Sequence, residues 1–294
     1  MSGESYGALL DAVRGVHWPA RRLVTSAATG WHASRRRGTS AEFSEYRAYR
    51  QGDDPRRLDW RLLARSDRAW VRLATDRTTL STTILLDASA SMAFPVTTRA
   101  KWRQAQNVAV GLAAVAHGDG DPVGIVVPDD RTAGGARVLP PRTRRGVVSE
   151  IAHVVDDADP DGIDPLAPML AGIRSRRIAI ITDLLGDADA LLAAAHVHVA
   201  SGGELTLVHV VARDELEPPR RTLLAADPEN PAIQRLLIEG ARREYERRFS
   251  EWRAIEARRW RSAGAVYALV ADDEPPAHAV RRIVEPPMAA EAAP

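Results

Sequence analysis

The chain has 294 residues, of which 45% are apolar and 27% are charged, and its formal net charge at pH 7 is +1. This length predicts one or two domains, and the near-neutral charge argues against a protein that coats nucleic acid with its whole surface. The chain has no cysteine, which excludes disulfide bonds, thiolate metal sites and cysteine nucleophiles.

The N-terminus reads Met1-Ser-Gly-Glu-Ser-Tyr, which lacks the basic region and apolar segment of a secretory signal peptide. Apolar runs elsewhere stay below the roughly 18–20 residues that span a bilayer. We therefore expect a soluble, cytoplasmic protein without a membrane span.

Residues 1–77 are predicted to form an N-terminal subdomain, with a helix over residues 6–16 and a strand over residues 70–75. Aromatic side chains alternate there with arginines: Trp31, Phe43, Tyr46, Tyr49, Trp60 and Trp70. Arginines interleaved with aromatics are compatible with single-stranded nucleic-acid binding. Because acidic residues share the same stretch, we regard nucleic acid as an unlikely partner and keep this function only as an alternative.

From residue 79 onward, apolar strands alternate with amphipathic helices. The predicted strands are 80–87, 121–127, 137–140, 177–183, 204–211 and 265–270. The predicted helices are 99–117, 143–157, 165–173, 188–200, 228–263 and 276–284. This alternation predicts an α/β fold, a doubly wound and mostly parallel sheet with helices on both faces. We assign residues 78–285 to this domain and residues 286–294 to a disordered tail.

Three oxygen-bearing side chains follow the first of these strands at a spacing of two residues: Asp87, Ser89 and Ser91. In an extended chain, side chains at this spacing point to the same side. Aspartate and serine also cap helices and form turns, but the next helix is predicted to start near Thr97 and Thr98, which are better placed to cap it.

A second apolar strand ends in Asp183. The carboxyl ends of parallel strands meet at one edge of a sheet, where ligands bind in this fold class. Carboxylate and hydroxyl oxygens are the ligands that hard divalent cations prefer. The sequence therefore predicts a site for Mg²⁺, or for Mn²⁺ or Ca²⁺, built from Asp87, Ser89, Ser91 and Asp183.

These residues resemble the metal-ion-dependent adhesion site of von Willebrand factor A domains. An upstream motif resembles the signature of the domain-of-unknown-function 58 family. The residues that match this signature are Phe43, Arg47, Tyr49, Gly52, Asp53, Arg56, Asp59, Trp60 and Arg65. We interpret this motif as structural, with a turn over residues 52–55, and with Asp59, Trp60 and Arg65 pinning the subdomain onto the α/β domain through ion pairs and burial.

The resemblance implies a von Willebrand factor A-like domain in a non-enzymatic adaptor. It also implies a MoxR-type AAA+ ATPase as a protein partner in the assembly or remodelling of other proteins. The family's second metal loop usually supplies a threonine, but residues 161–166 contain none. Asp164 is the nearest oxygen ligand there, and water takes this position if Asp164 does not coordinate.

A metal-dependent phosphoryl hydrolase is the enzymatic alternative. Such sites on doubly wound sheets use an aspartate nucleophile and usually a second aspartate two residues later for acid–base chemistry. Here the residue two positions after Asp87 is Ser89, so the acid–base partner is missing. The sequence therefore favours a binding protein.

Overall fold

In the computed structural model, the described residues are 6–21, 43–50, 58–66, 68–74, 79–132, 134–162, 165–218, 223–226, 234–237 and 239–285. Its helices are α1 (Gly7–Ala12), α2 (Trp60–Ser66), α3 (Ala100–Gly118), α4 (Val147–Asp156), α5 (Leu166–Gly172), α6 (Ala188–Ala200), α7 (Arg213–Leu216), α8 (Glu239–Ser262) and α9 (Pro276–Val284). Its strands are β1 (Phe43–Ala48), β2 (Trp70–Ala74), β3 (Thr82–Leu86), β4 (Val123–Pro128), β5 (Ala136–Arg142), β6 (Arg177–Thr182), β7 (Glu204–Val211), β8 (Leu223–Ala226), β9 (Gln234–Leu237) and β10 (Val266–Ala271).

Two compact units share the chain. The larger comprises Met1–Arg22 and Leu80–Pro294, and the smaller comprises Leu23–Thr79. The predicted boundary placed the first helix in the N-terminal subdomain, whereas the structure groups α1 with the larger unit. The reason is burial, because Leu9 of α1 and the following Val13 lie in one apolar cluster with Leu112 of α3 and Val280 of α9.

The larger unit is built on a six-stranded sheet in the order β10-β7-β6-β3-β4-β5. Only the β4–β5 pair within this sheet is antiparallel. Every residue of β3, β4 and β6 is buried, as expected for parallel strands covered on both faces. One apolar layer contains α1, α3, α4 and α9, and the other contains α5, α6 and α8. This architecture confirms the predicted α/β fold.

The order of the strands reverses between β3 and β6. After β3 the chain continues to β4 and β5 on one side, and it then returns to β6 on the other side. A crevice forms at the carboxyl ends of the strands where the order of a doubly wound sheet reverses. The residues that follow β3 and β6 therefore occupy the position at which ligands bind in this class of fold.

The smaller unit contains the antiparallel pair β1–β2 with α2 between the two strands in sequence. Asp59 caps α2, because its Oδ1 accepts hydrogen bonds from the backbone amides of Arg61 (3.1 Å) and Leu62 (3.0 Å). The Tyr49 amide donates to Ala69 O (2.8 Å). Asp59 therefore stabilises the start of a helix.

Some of the remaining motif residues lie within the described part of the chain and others lie outside it. Phe43 and Arg47 lie in β1, paired with Ala74 and Val71 of β2. The side chain of Trp60 is 62% exposed and Arg65 is also exposed, and their role in pinning the subdomain onto the α/β domain stays a prediction. Gly52, Asp53 and Arg56 lie outside the described residues, as does the predicted tail over residues 286–294.

The predicted helix over residues 228–263 is wrong at its N-terminal end. Helix α8 begins at Glu239, and residues 234–237 form strand β9, which pairs antiparallel with β8. Residues 234–237 occupy less than two helical turns, so apolar spacing does not discriminate between helix and strand there. None of the helices formed by the described residues combines the length and apolar character that a bilayer crossing requires.

Candidate functional site

Asp87 and Asp183 lie at the carboxyl ends of two neighbouring parallel strands. Asp87 follows β3 and Asp183 follows β6, and the Asp87 amide donates to Ile181 O at 2.9 Å. Both side chains are buried, with 1% and 2% of their surface exposed. The structure thus places the two aspartates at the switch point of the sheet, as the strand pattern indicates.

The loop after β3 folds its polar side chains inward. The Ser89 amide donates to Asp87 Oδ1 (2.8 Å), and the hydroxyl oxygens of Ser89 and Ser91 are 3.1 Å apart. Both serines are 2% exposed. One carboxylate and two hydroxyls therefore lie together, buried, within five residues of the chain.

Thr182 joins this group, although the sequence analysis did not identify it. Its hydroxyl donates to Asp87 Oδ2 at 2.6 Å. Thr182 is the last residue of β6, and the pairing of Leu86 with Ile181 puts it directly beside Asp87. The pairing register of two strands is visible only in the fold. In the sequence, the one indication of this role was that Thr182 immediately precedes Asp183.

The loop after β3 is followed by a short 3₁₀ helix, Ala90–Ala93, and then by α3. The residue before α3 is Arg99, in the left-handed conformation (φ 49°), and no side chain caps the helix. The prediction that Thr97 and Thr98 cap this helix is therefore wrong. Ser89 occupies the N-cap position of the 3₁₀ helix but makes no side-chain capping bond, so its hydroxyl is directed to other contacts.

A second loop lies against the first. Ser89 and Gly162 form an isolated parallel bridge, in which Gly162 N donates to Ala88 O and Ala90 N donates to Gly162 O, each at 3.1 Å. This bridge places Gly162 beside residues 87–91, which we call the serine loop. Asp164 itself lies outside the described residues.

Lys101 forms a buried ion pair with Asp183. Its ammonium donates to Asp183 Oδ2 (2.8 Å) and to Glu215 Oε1 (2.8 Å), and its side chain is fully buried. The second oxygen of Asp183 accepts the Leu185 amide at 3.1 Å. Asp183 is therefore held by an ammonium and a backbone amide, whereas Asp87 accepts from a hydroxyl and a backbone amide.

Asp129, which follows β4, is neutralised by arginines. Its Oδ1 accepts Arg131 Nε (3.0 Å) and its Oδ2 accepts Arg137 Nε (2.6 Å). The hydrogen bond from Arg131 is the main cause that lowers the pKa of Asp129 to about 2. Further out, Arg99 and Arg131 both contact Asp159. Asp129 is thus a structural carboxylate beside the site.

His209 lies in β7 opposite Thr182 of β6. Its Nδ1 is 2.6 Å from the hydroxyl oxygen of Tyr267, and its ring meets the ring of Trp252 edge-on, with the centroids 5.4 Å apart. Burial lowers the pKa of His209 to about 3. The imidazole is therefore neutral at physiological pH.

A neutral buried histidine predicts a specific pH dependence of stability. Below pH ~6.5 the unfolded chain protonates this histidine but the folded chain does not, until about pH 3. The free energy of unfolding should therefore fall as pH drops through this window, with His209 contributing at most about 1.4 kcal/mol per pH unit. Urea unfolding of His209→Gln should show a shallower pH slope than the wild type. Equal slopes for wild type and His209→Gln would contradict this.

The donor chemistry of the serine loop fits a hard divalent cation. Asp87, Ser89 and Ser91 supply one carboxylate and two hydroxyl oxygens, all buried and adjacent, and Mg²⁺ tolerates such a partial protein shell completed by water. Within the described ranges, no three histidine, aspartate or glutamate side chains converge in a way that could hold a metal. Any cation here would therefore depend on the serine hydroxyls as well as on Asp87.

Comparison with known proteins places the chain in a family. It matches the family described as "Protein of unknown function DUF58" over residues 45–255. An uncharacterised protein of Mycobacterium tuberculosis (strain ATCC 25618 / H37Rv) is 26% identical over 269 residues, which cover 87% of this chain and 83% of that protein.

Solved structures show similarity at lower identity. BatB from Bacteroides thetaiotaomicron is 19% identical with a TM-score of 0.45, over 70% of this chain and 97% of that one. A von Willebrand factor type A protein from Catenulispora acidiphila is 15% identical with a TM-score of 0.38, over 74% of this chain and 43% of that one. Since the family match spans well over half of the sequence, this chain belongs to the DUF58 family.

Proposed function

We propose that this protein is a non-enzymatic adaptor that holds a protein partner through a divalent cation at the serine loop. Asp87, Ser89 and Ser91 would hold the ion, and a carboxylate of the partner would complete its coordination. When bound, the ion supplies an electrophilic centre with positions open to an oxygen ligand. Asp164 is a candidate fourth ligand from the second loop.

The observation that carries this proposal is the burial of two serine hydroxyls 3.1 Å apart beside a buried aspartate at the switch point of the sheet. Apolar side chains would pack there at lower cost, because burying polar groups is unfavourable unless they are satisfied. A cation ligated by these oxygens accounts for their presence in one place.

The chemistry of the site favours binding over hydrolysis. Ser89 stands where a hydrolase of this fold usually has its acid–base aspartate, and a serine does not ionise in the range needed to move that proton. The chain's own residues would therefore hold and orient an ion without transferring a proton. Measurable hydrolysis of a generic phosphate ester by the wild type that disappears in Asp87→Asn would overturn this part of the proposal.

The partner that we propose is a MoxR-type AAA+ ATPase, as the family motif in the smaller unit implies. This protein would then help that ATPase to remodel or assemble other proteins. We propose that it does so in the cytoplasm.

Because the ATPase itself needs Mg²⁺ with ATP, a chelator alone would not distinguish the metal requirement of the ATPase from that of this protein. A pull-down should compare wild type with Asp87→Asn at constant Mg²⁺. Loss of the ATPase only with Asp87→Asn supports the proposal, and equal capture contradicts it.

Cation binding is tested by isothermal titration with Mg²⁺ and with Mn²⁺. Asp87→Asn keeps the shape of the side chain but removes its charge, so we expect the Kd to rise by about a hundredfold or more, since charged ligands dominate such sites. The control is Asp11→Asn on α1, because, among the described residues, the exposed carboxylate of Asp11 pairs only with Arg14 in the following turn. Identical binding heats for wild type and Asp87→Asn would reject the site.

A further inference from the structure

Lys101 is the only lysine of the chain. It is buried, and its ammonium lies 5.8 Å from the centre of the ring of Phe94, three residues after Ser91. We infer that Lys101 is a positioning residue that keeps Asp183 out of the coordination shell of the cation and thereby sets the affinity of the site for that cation. This inference rests on the proposed function, because it concerns the same ion.

The contacts of Lys101 connect three elements. The residue lies in the first turn of α3, and it pairs with Asp183 after β6 and with Glu215 on α7, each at 2.8 Å. Glu215 is fixed in turn, because its Oε2 accepts the Ala212 amide at 2.7 Å. A cation at the start of a helix is opposed by the helix dipole, and its burial adds a desolvation cost. The carboxylates of Asp183 and Glu215 offset both the unfavourable helix dipole and the desolvation cost.

The direction of the strands turns the side chain of Asp183 toward Lys101 on α3, where the ammonium binds it. Side chains two residues apart on a strand share a face of the sheet. Leu85 belongs to the apolar layer of α5, α6 and α8, whereas Ile181 belongs to the layer of α3. Asp87 therefore continues the face of Leu85 and contacts Thr182, while Asp183 continues the face of Ile181 and contacts Lys101 on α3.

The consequence for the ion is electrostatic. An ammonium at hydrogen-bond distance neutralises Asp183, and it repels a divalent cation in the adjacent crevice. The ion then depends on Asp87 and the two serine hydroxyls, which form a weakly charged shell. Such a shell holds the ion less tightly and leaves it more electrophilic toward a carboxylate that arrives from a partner.

The test measures Mn²⁺ affinity by titration calorimetry and by electron paramagnetic resonance of the free ion. Lys101→Met removes the ammonium, so Asp183 gains the freedom to bind the ion, and the Kd should fall by at least about tenfold. Lys101→Met/Asp183→Asn removes one positive and one negative charge, so the net charge of Lys101, Asp183 and Glu215 together is unchanged, and the Kd should lie within about threefold of wild type. Arg99→Met is the matched control, because it removes an exposed positive charge two positions earlier and should change the Kd by less than about threefold.

The outcomes separate the two claims. If wild type binds Mn²⁺ and Lys101→Met binds it no more tightly, the inference fails while the proposed function stands. If the double variant loses affinity by more than about tenfold, Asp183 is a ligand in the wild type and the inference fails. Should Lys101→Met fail to fold, Lys101→Gln gives the same comparison, because it also removes the positive charge, and an unchanged Kd would again overturn the inference. If no variant, including wild type, binds Mn²⁺, the proposed function fails and the inference with it.

Discussion

Replacing Arg177 by methionine is expected to lower the free energy of unfolding by about 3–5 kcal/mol. Arg177 begins β6 and its side chain is 1% exposed. Its guanidinium contacts Asp121 Oδ2 at 3.2 Å and Glu204 Oε2 at 3.4 Å. Without it, two carboxylates that are largely buried would lack their shared cation, and burial already raises the pKa of Asp121.

Arg177 also fixes the N-terminal segment of the larger unit. It donates to Trp18 O at 2.9 Å, and its guanidinium carbon lies 4.6 Å from the centre of the Trp18 ring. Amide hydrogen exchange over residues 6–21 should therefore increase in Arg177→Met, beyond the effect on global stability.

Urea unfolding followed by circular dichroism measures the loss in Arg177→Met. The matched control is Arg14→Met, because Arg14 pairs with Asp11 on the surface with 82% of its side chain exposed. That variant should differ from wild type by less than about 1 kcal/mol. A loss below about 1 kcal/mol for Arg177→Met as well would show that the buried ion pairs do not hold this end of the sheet together.

Gly124 is the one glycine within the strands of the six-stranded sheet, and Gly124→Ala should strongly destabilise the fold. Gly124 lies in β4 where the pairing with β5 is irregular, opposite two consecutive prolines. A Cβ there would lie 2.6 Å from Pro141 N and 2.7 Å from Pro140 C, and nearer still to the carbonyl oxygen of Leu139. These are backbone atoms, so the edge strand itself would have to move. We expect a loss of roughly 3 kcal/mol or more, at the upper end of overpacking costs.

Gly118→Ala is the control for this substitution. Gly118 is the last residue of α3, and nothing lies within 4 Å of the position of its Cβ. Alanine has the better helix propensity, so this variant should be neutral or more stable by up to about 1 kcal/mol. Thermal unfolding of the two variants gives the comparison, and equal melting temperatures would mean that β5 accommodates the added methyl group.

The core of the fold could be predicted because its strands are continuous apolar runs. Ile84-Leu85-Leu86 and the run that ends at Thr182 indicate buried parallel strands. The aspartates that follow them had to lie at one edge of the sheet. The local apolar pattern was sufficient to predict these strands, because a short continuous apolar segment fits best in a strand that is buried on both faces of a sheet.

Contacts between distant residues could not be predicted in the same way. From sequence alone, a lysine at the start of a helix is expected on the surface. Only the fold shows that Lys101 is buried between Asp183 and Glu215. The hydrogen bond from Thr182 to Asp87 depends on the register of β3 and β6. The β8–β9 hairpin was missed for a related reason, because a four-residue strand carries too little periodicity to be distinguished from a helical turn.

The most direct measurement is the anomalous scattering of Mn²⁺ in crystals of the wild-type protein soaked with that ion. Our account predicts a single strong peak at the carboxyl end of β3, within coordination distance of Asp87 and the hydroxyls of Ser89 and Ser91, with Lys101 still bonded to Asp183. A saturating soak that leaves this position empty, or a manganese ion ligated directly by Asp183 with the ammonium of Lys101 displaced, would contradict it.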